Sequence, residues 1–450
     1  MRWIVVAAIA ALWLQRPEPR CEDTSVHVAR QRLSGASTGP ATADLSTDGR
    51  VVAFISLAQL TPDDVNTVDD VYVFDRTTSR FALESVAPGG AADGSSQQPR
   101  VSGDGRVLVF ATVASNIVGA GVVAVGAQVV RRDRATRSTT LVSHTPGGGP
   151  GNGWSGHADI SDDGRFVVFE SRATNLVPGH DANAGGSDVY LFDAHDGSLR
   201  RVSQTDAGEQ SATGQSSTPA LSGTGRFVAF SSTAPLDGPA RARTEAPIRD
   251  VFRRDLTTGA LTRISATQSG GVPNGPSYHP AISGDGRQVV FVSTATNLQG
   301  AVGSARPEQL YFYEADTGRL RLLSRSAAGR AGDGDSRFPA ISGDGRYVVF
   351  SSAASNLRCA AGCQDGRAET SDVNLVSDVY RVDTLTGAVD RISGDSEGPW
   401  WRVSTGAAVD GTGHVVAFSS RQPIDDADLE DDDDLFVKPA RNGCPSTDRP

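Results

Sequence analysis

Nine letters recur seven times along this chain, as STDGRVVAF (46–54), SGDGRVLVF (102–110), SDDGRFVVF (161–169), SGTGRFVAF (222–230), SGDGRQVVF (283–291), SGDGRYVVF (342–350) and DGTGHVVAF (410–418). The turn glycines, Gly49, Gly105, Gly164, Gly225, Gly286, Gly345 and Gly413, are spaced by 56, 59, 61, 61, 59 and 68 residues. A period of this length is the mark of a repeat architecture, in which one array absorbs the whole chain. Each copy has a second landmark downstream: DVYVFD (70–75), QVVRRD (128–133), DVYLFD (188–193), DVFRRD (250–255), QLYFYE (309–314), DVYRVD (378–383) and DLFVKP (434–439). A turn and a short apolar strand follow, such as ALTRIS (260–265).

Each unit therefore reads as four strands, in the sixth copy 339–342, 346–352, 378–383 and 388–393. The glycine of the first turn supplies the positive φ of a tight hairpin. The valine- and phenylalanine-rich runs suit sheets covered on both faces, and no stretch keeps a helical period. Four-stranded sheets that stack face to face and close radially bury what one sheet cannot. The expected fold is all-β, a seven-bladed β-propeller over residues 25–440.

The seventh unit offers only three strands, 407–410, 414–420 and 434–438, and SVHVAR (25–30) is expected to supply its fourth. Antiparallel pairing would set the start of 25–30 beside the end of 434–438. Cys21 and Cys444 then come within reach of a disulfide, the alternative being two free thiols; Cys359 and Cys363 are expected to bridge locally.

The formal charge of −11 is concentrated: DDADLEDDDD (425–434) holds eight carboxylates, so the rest of the chain carries about −3. No basic face is available for nucleic acid. Trp3–Leu14 is apolar, follows a single Arg and is too short to span a bilayer. Residues 1–20 read as a secretory signal or an uncleaved anchor, 441–450 as a tail, and the protein as an exported monomer, periplasmic or extracellular.

The pattern of proline, a small residue, serine, DGR and an apolar strand ending in F-x-S, clearest in PAISGDGRQVVFVS (280–293) and PAISGDGRYVVFSS (339–352), resembles TolB-like propellers. That resemblance implies the fold and leaves function open.

Two sets of residues carry the functional expectations. The first is oxygen donors ahead of the third strands: Asp64, Asn66 and Asp70; Asp181, Asn183 and Asp188; Asp372, Asn374 and Asp378; Asp428, Glu430 and Asp434. Alternating hard oxygens suit Ca²⁺, and the same residues also build side-chain turns. The second set rims the channel. His157 and His279 match each other in register, just ahead of the innermost strands, where Gln98 and Phe338 lie in other blades; Trp154, Tyr278, Trp400 and Trp401 are placed in blade-joining loops on the same face. The reading is a scaffold whose long-loop face binds a protein or a glycan. The alternative is a metal-assisted polysaccharide lyase or hydrolase at the channel mouth, because lyases on propellers resemble such a set of histidines and a glutamine around a metal.

Overall fold

The structure, a computed structural model, describes residues 26–31, 43–118, 125–237, 248–298, 307–326, 328–357, 376–393, 403–421 and 433–440. Seven antiparallel four-stranded sheets follow one another around a ring. Helix is confined, among the described residues, to one turn, Ser115–Val118. A two-stranded ribbon, Val86–Ala87 with Gly90–Ala91, is an addition between blades one and two.

The landmarks are explained by what their side chains touch. In every blade but the second, where Phe110 faces Val130, the phenylalanine of the second strand stacks on an aromatic of the third, as in Phe54–Tyr72 at 6.0 Å, Phe169–Tyr190 at 5.7 Å and Phe350–Tyr380 at 6.0 Å. These rings are among the most deeply buried in the molecule. The DGR arginine reaches the aspartate that ends the third strand, giving Arg50–Asp75, Arg106–Asp133, Arg165–Asp193, Arg226–Asp255 and Arg346–Asp383 at 2.7 to 2.9 Å. In blade five Glu314 replaces that aspartate, and in blade seven both members change together, to His414 and Pro439. Blade two keeps this pair and departs only in its third strand, where Val130 replaces the aromatic, and blades two and seven are both complete in strands.

Apolar clusters lie between neighbouring blades. One joins blade one to blade seven through Leu45, Phe54 and Tyr72 packed with Ala417, Leu435 and Val437. Another joins blades six and seven. The ring is thus shut by burial as well as by strand pairing. The expected fourth strand of blade seven is Val26–Gln31, which pairs antiparallel with Asp433–Pro439, Val26 opposite Val437. The cysteines at 21, 359, 363 and 444 lie outside the described residues, as do 1–20 and 441–450.

At the end of the channel formed by the DG turns, backbone bonds run from blade to blade: Thr47 N to Gly103 O, Asp162 N to Gly223 O, Thr224 N to Gly284 O, Gly284 N to Gly343 O, Asp344 N to Gly411 O and Gly411 N to Thr47 O. This explains the first glycine of SGDG, which the turn alone does not need. A Cβ on Gly284 would stand 2.8 Å from the carbonyl oxygen of Gly343, and one on Gly411 2.3 Å from the Thr47 methyl.

Candidate binding site at the channel mouth

The innermost strands are longer than their letters suggest. They run Ser96–Val101, Ser155–Ile160, Ser216–Leu221, Ser277–Ile282, Ser336–Ile341 and Ser404–Val409 in blades two to seven. Each is broken by a register shift near its middle. At that bulge sit Gln98, His157, Thr218, His279, Phe338 and Gly406, all left-handed, with φ of 56°, 46°, 48°, 49°, 52° and 66°. His157 and His279 are therefore inside the innermost strands rather than ahead of them, and Tyr278 is a strand residue rather than a loop residue. The physical reason is the bulge: it absorbs an extra residue without ending the pairing. Gln98, His157, Thr218, His279 and Phe338 line the central cavity, of about 250 Å³.

Glu170 is the residue the sequence reading missed. It pairs with Gly156 across the first two strands of blade three, is 5 % exposed, and its Oε2 accepts from His157 Nδ1 at 3.0 Å and from the backbone N–H of Thr218 at 3.1 Å. Gly156 leaves the room: a Cβ there would lie 2.6 Å from the Trp154 ring. Burial pushes the Glu170 carboxyl up, but the His157 hydrogen bond and charge outweigh it and hold it below its ordinary range. A signal was present, since Glu170 is the only charged residue at the x of F-x-S in seven copies.

Around this pair, Gln98 Oε1 accepts the His157 backbone N–H at 2.8 Å, and Trp154 meets the His157 ring edge-on at 5.3 Å. His279 packs between Tyr278 and Phe338, with ring centroids 5.1 and 5.8 Å away. Burial, then the neighbouring His157, lowers its pKa to about 4, so it is neutral at physiological pH. Tyr278 donates to Glu308, which also pairs with Arg337. Trp400 and Trp401 lie outside the described residues.

The carbonyl of Gln98 takes a backbone N–H, and Nδ1 of His157 faces Glu170, a carboxylate that orients the ring. Among the described residues no three or more His, Cys, Asp or Glu side chains are grouped to hold an ion.

The oxygen donors before the third strands are drawn into the fold's own bonding. Asp70, Asp188 and Asp378 each accept a hydrogen bond from the serine two residues past the fourth strand, namely Ser85, Ser203 and Ser393. Gln128 and Gln309 accept the same bond in blades two and five, at 2.8 and 2.7 Å, so the position works without charge. In blade three a cation is built in: Arg201 lies 3.2 Å from Asp181 and 3.3 Å from Asp188, whose partner Asn183 is 3.4 Å away. Arg391 takes the same role toward Asp378, at 2.6 Å. In blade one Asp64 accepts from the Tyr72 hydroxyl and from the Asn66 N–H, the latter at 3.1 Å. Asp434 is buried, while Asp372, Asn374, Asp428 and Glu430 fall outside the described residues.

Solved structures share this architecture. An oligogalacturonate lyase from Vibrio parahaemolyticus superposes with a TM-score of 0.53 at 12% identity, over 94% of this chain and 94% of that one. An oligogalacturonate lyase in complex with manganese gives 0.51 at 13%, over 93% and 98%. The β-propeller domain of the Trilobed protease from Pyrococcus furiosus gives 0.50 at 14%, over 89% and 94%. TolB from Acinetobacter baumannii also matches, at 0.38 and 17%, over 67% and 57%. The likeness is one of fold. No family model matches the sequence, and no curated protein does.

Proposed function

We propose that this chain is an exported, monomeric binding scaffold whose loop face, centred on the channel mouth, takes a protein or a glycan. One observation supports it above the rest. A position that keeps the same left-handed backbone in six blades carries glutamine, histidine, threonine, histidine, phenylalanine and glycine. A non-glycine residue held there is strained by roughly 1–3 kcal/mol, and such strain gathers where side chains are positioned for contact rather than for packing. Phe338 at this position and Trp154 and Tyr278 beside it offer flat apolar faces with polar neighbours, the combination that stacks on a sugar or on a partner's side chain. Export is supported by the apolar segment near the amino terminus.

The alternative, a metal-assisted lyase or hydrolase, would draw on Gln98, His157 and His279, which share the cavity wall. Structural calcium rests on the sequence pattern alone; an unchanged melting midpoint with and without a chelator would remove it.

A glycan array and an envelope pull-down with the whole protein test the main reading. The Trp154→Ala and Phe338→Ala variants should lose affinity by about tenfold or more for whatever ligand is captured, with their melting temperatures checked in parallel. Binding indifferent to both substitutions would move the site away from the mouth.

A further inference from the structure

Two residues beyond the bulge, the innermost strands place another ring of side chains on the channel wall: Asp44, Arg100 and Asp159 in blades one to three, and Ala220, Ala281, Ala340 and Ala408 in blades four to seven. The wall is therefore divided. One side has a guanidinium between two carboxylates; the other has alanine, with Pro219, Pro280 and Pro339 just above it.

The two carboxylates are fixed by the backbone. Asp44 Oδ2 accepts the Val101 N–H at 2.8 Å, and Asp159 Oδ2 accepts the Leu221 N–H at 2.7 Å. Arg100 is held more loosely. Its Nε lies 3.9 Å from Asp159 Oδ1, and its Nη1 lies 3.5 Å from its own Pro99 carbonyl. Both distances exceed a good N–H···O bond, so the planar fork is kept in place by charge and has bonds left to make. One guanidinium against two carboxylates also leaves a negative charge unbalanced. Burial raises the Asp159 carboxyl to about 6 against the pull of Arg100, and burial raises Asp44 as well.

We infer that the channel is a binding site for a small zwitterion of the α-amino acid class, its carboxylate on the Arg100 fork, its ammonium between Asp44 and Asp159, and its side chain against the alanine and proline wall. A bidentate guanidinium is the group that best matches a carboxylate. The ammonium meets the two carboxylates while the ligand's own carboxylate takes the guanidinium, so each ligand charge faces its opposite. A volume of about 250 Å³ falls below the roughly 300–1,000 Å³ of pockets for drug-sized ligands, which selects a small molecule. This inference does not depend on what the loop face binds.

The test uses the full chain with L-leucine, leucine methyl ester and N-acetyl-leucine, read by calorimetric titration and by melting temperature. Leucine should give saturable binding in the millimolar range or tighter, and a melting temperature that climbs with its concentration. Each blocked derivative should bind at least about tenfold more weakly. Arg100→Gln should lose leucine binding by a similar factor, and Ala340→Leu, which fills the apolar wall and leaves the triad untouched, should lose it too. Absence of saturable leucine binding would overturn the inference. So would equal binding of either blocked derivative, or an Arg100→Gln protein with unchanged affinity.

Discussion

His279 shows how much one side chain is asked to do. It occupies a left-handed bulge, is packed between two aromatic rings, and is kept neutral by burial. Its pKa lies at about 4 in the fold against 6.5 when exposed, so only the unfolded chain takes a proton between those values. Stability linked to His279 is complete above pH 6.5 and drains away as pH falls toward 4, on the order of 3 kcal/mol in all. Asp159 works in the opposite sense. Its carboxyl, raised from 3.8 to about 6, favours the fold below pH 3.8, and that contribution is lost as pH rises to 6. The two oppose each other between pH 4 and 6. His279→Phe, with Phe338 as precedent for that residue in that conformation, should expose the combined limb of Asp159 and of Asp188, which burial likewise raises to about 6. Urea midpoints should then fall as pH rises from 4 to 6; midpoints that still climb would contradict the assignment. Glycine makes a second residue-level prediction. Gly284→Ala drives a Cβ to within 2.8 Å of the Gly343 carbonyl and should cost roughly 1–3 kcal/mol. Gly89→Ala, with nothing within 4 Å, should stay within about 0.5 kcal/mol on the same denaturation assay.

At the scale of the strand and its loop, arginine neutralises the carboxylates ahead of the third strand in blades three and six. Arg201, with only 13% of its side chain exposed, bridges Asp181 and Asp188 and lies over the Tyr190 ring at 5.5 Å. Arg201→Met removes the only cation between two buried carboxylates, and the expected loss is about 3–5 kcal/mol by chemical denaturation. The surface pairs should behave differently. Arg346→Met, whose arginine is 45% exposed beside Asp383, should leave the denaturation midpoint nearly unchanged. This contrast marks what the letters could convey. The DGR arginine and the aspartate ending the third strand recur together, and the hairpins, the blade count and the closing strand follow from such local recurrence. Arg201 is paired with Asp181 across two loops, so its letter sits in an ordinary fourth strand and points nowhere by itself. Glu170 and the bulge share that character. Glu170 lies opposite Gly156 across the sheet and accepts the Thr218 N–H of the next blade, and the bulge appears only in the pairing of two strands, contacts that packing creates and no linear spacing displays. The channel triad was hidden for the same reason, as Asp44, Arg100 and Asp159 gain meaning only when three blades share one axis.

For the whole molecule, closure by the strand Val26–Gln31 is the feature on which the ring depends. A protein lacking residues 1–31 would leave blade seven with three strands and an unpaired backbone edge along Asp433–Pro439, an invitation to pairing between copies. Such a protein should melt at a lower temperature and self-associate, as calorimetry and light scattering would show; a monomer of unaltered melting temperature would mean that the apolar seam between blades one and seven suffices. Val26 lies opposite Val437, so the chain enters and leaves the disc at the same end of two antiparallel strands. Tension applied between those exits would part their backbone bonds one after another, as a zipper opens, whereas strands drawn from opposite ends would have to break them together. A disc that heat must dismantle as a body thus has one seam that a small, sustained pull can open.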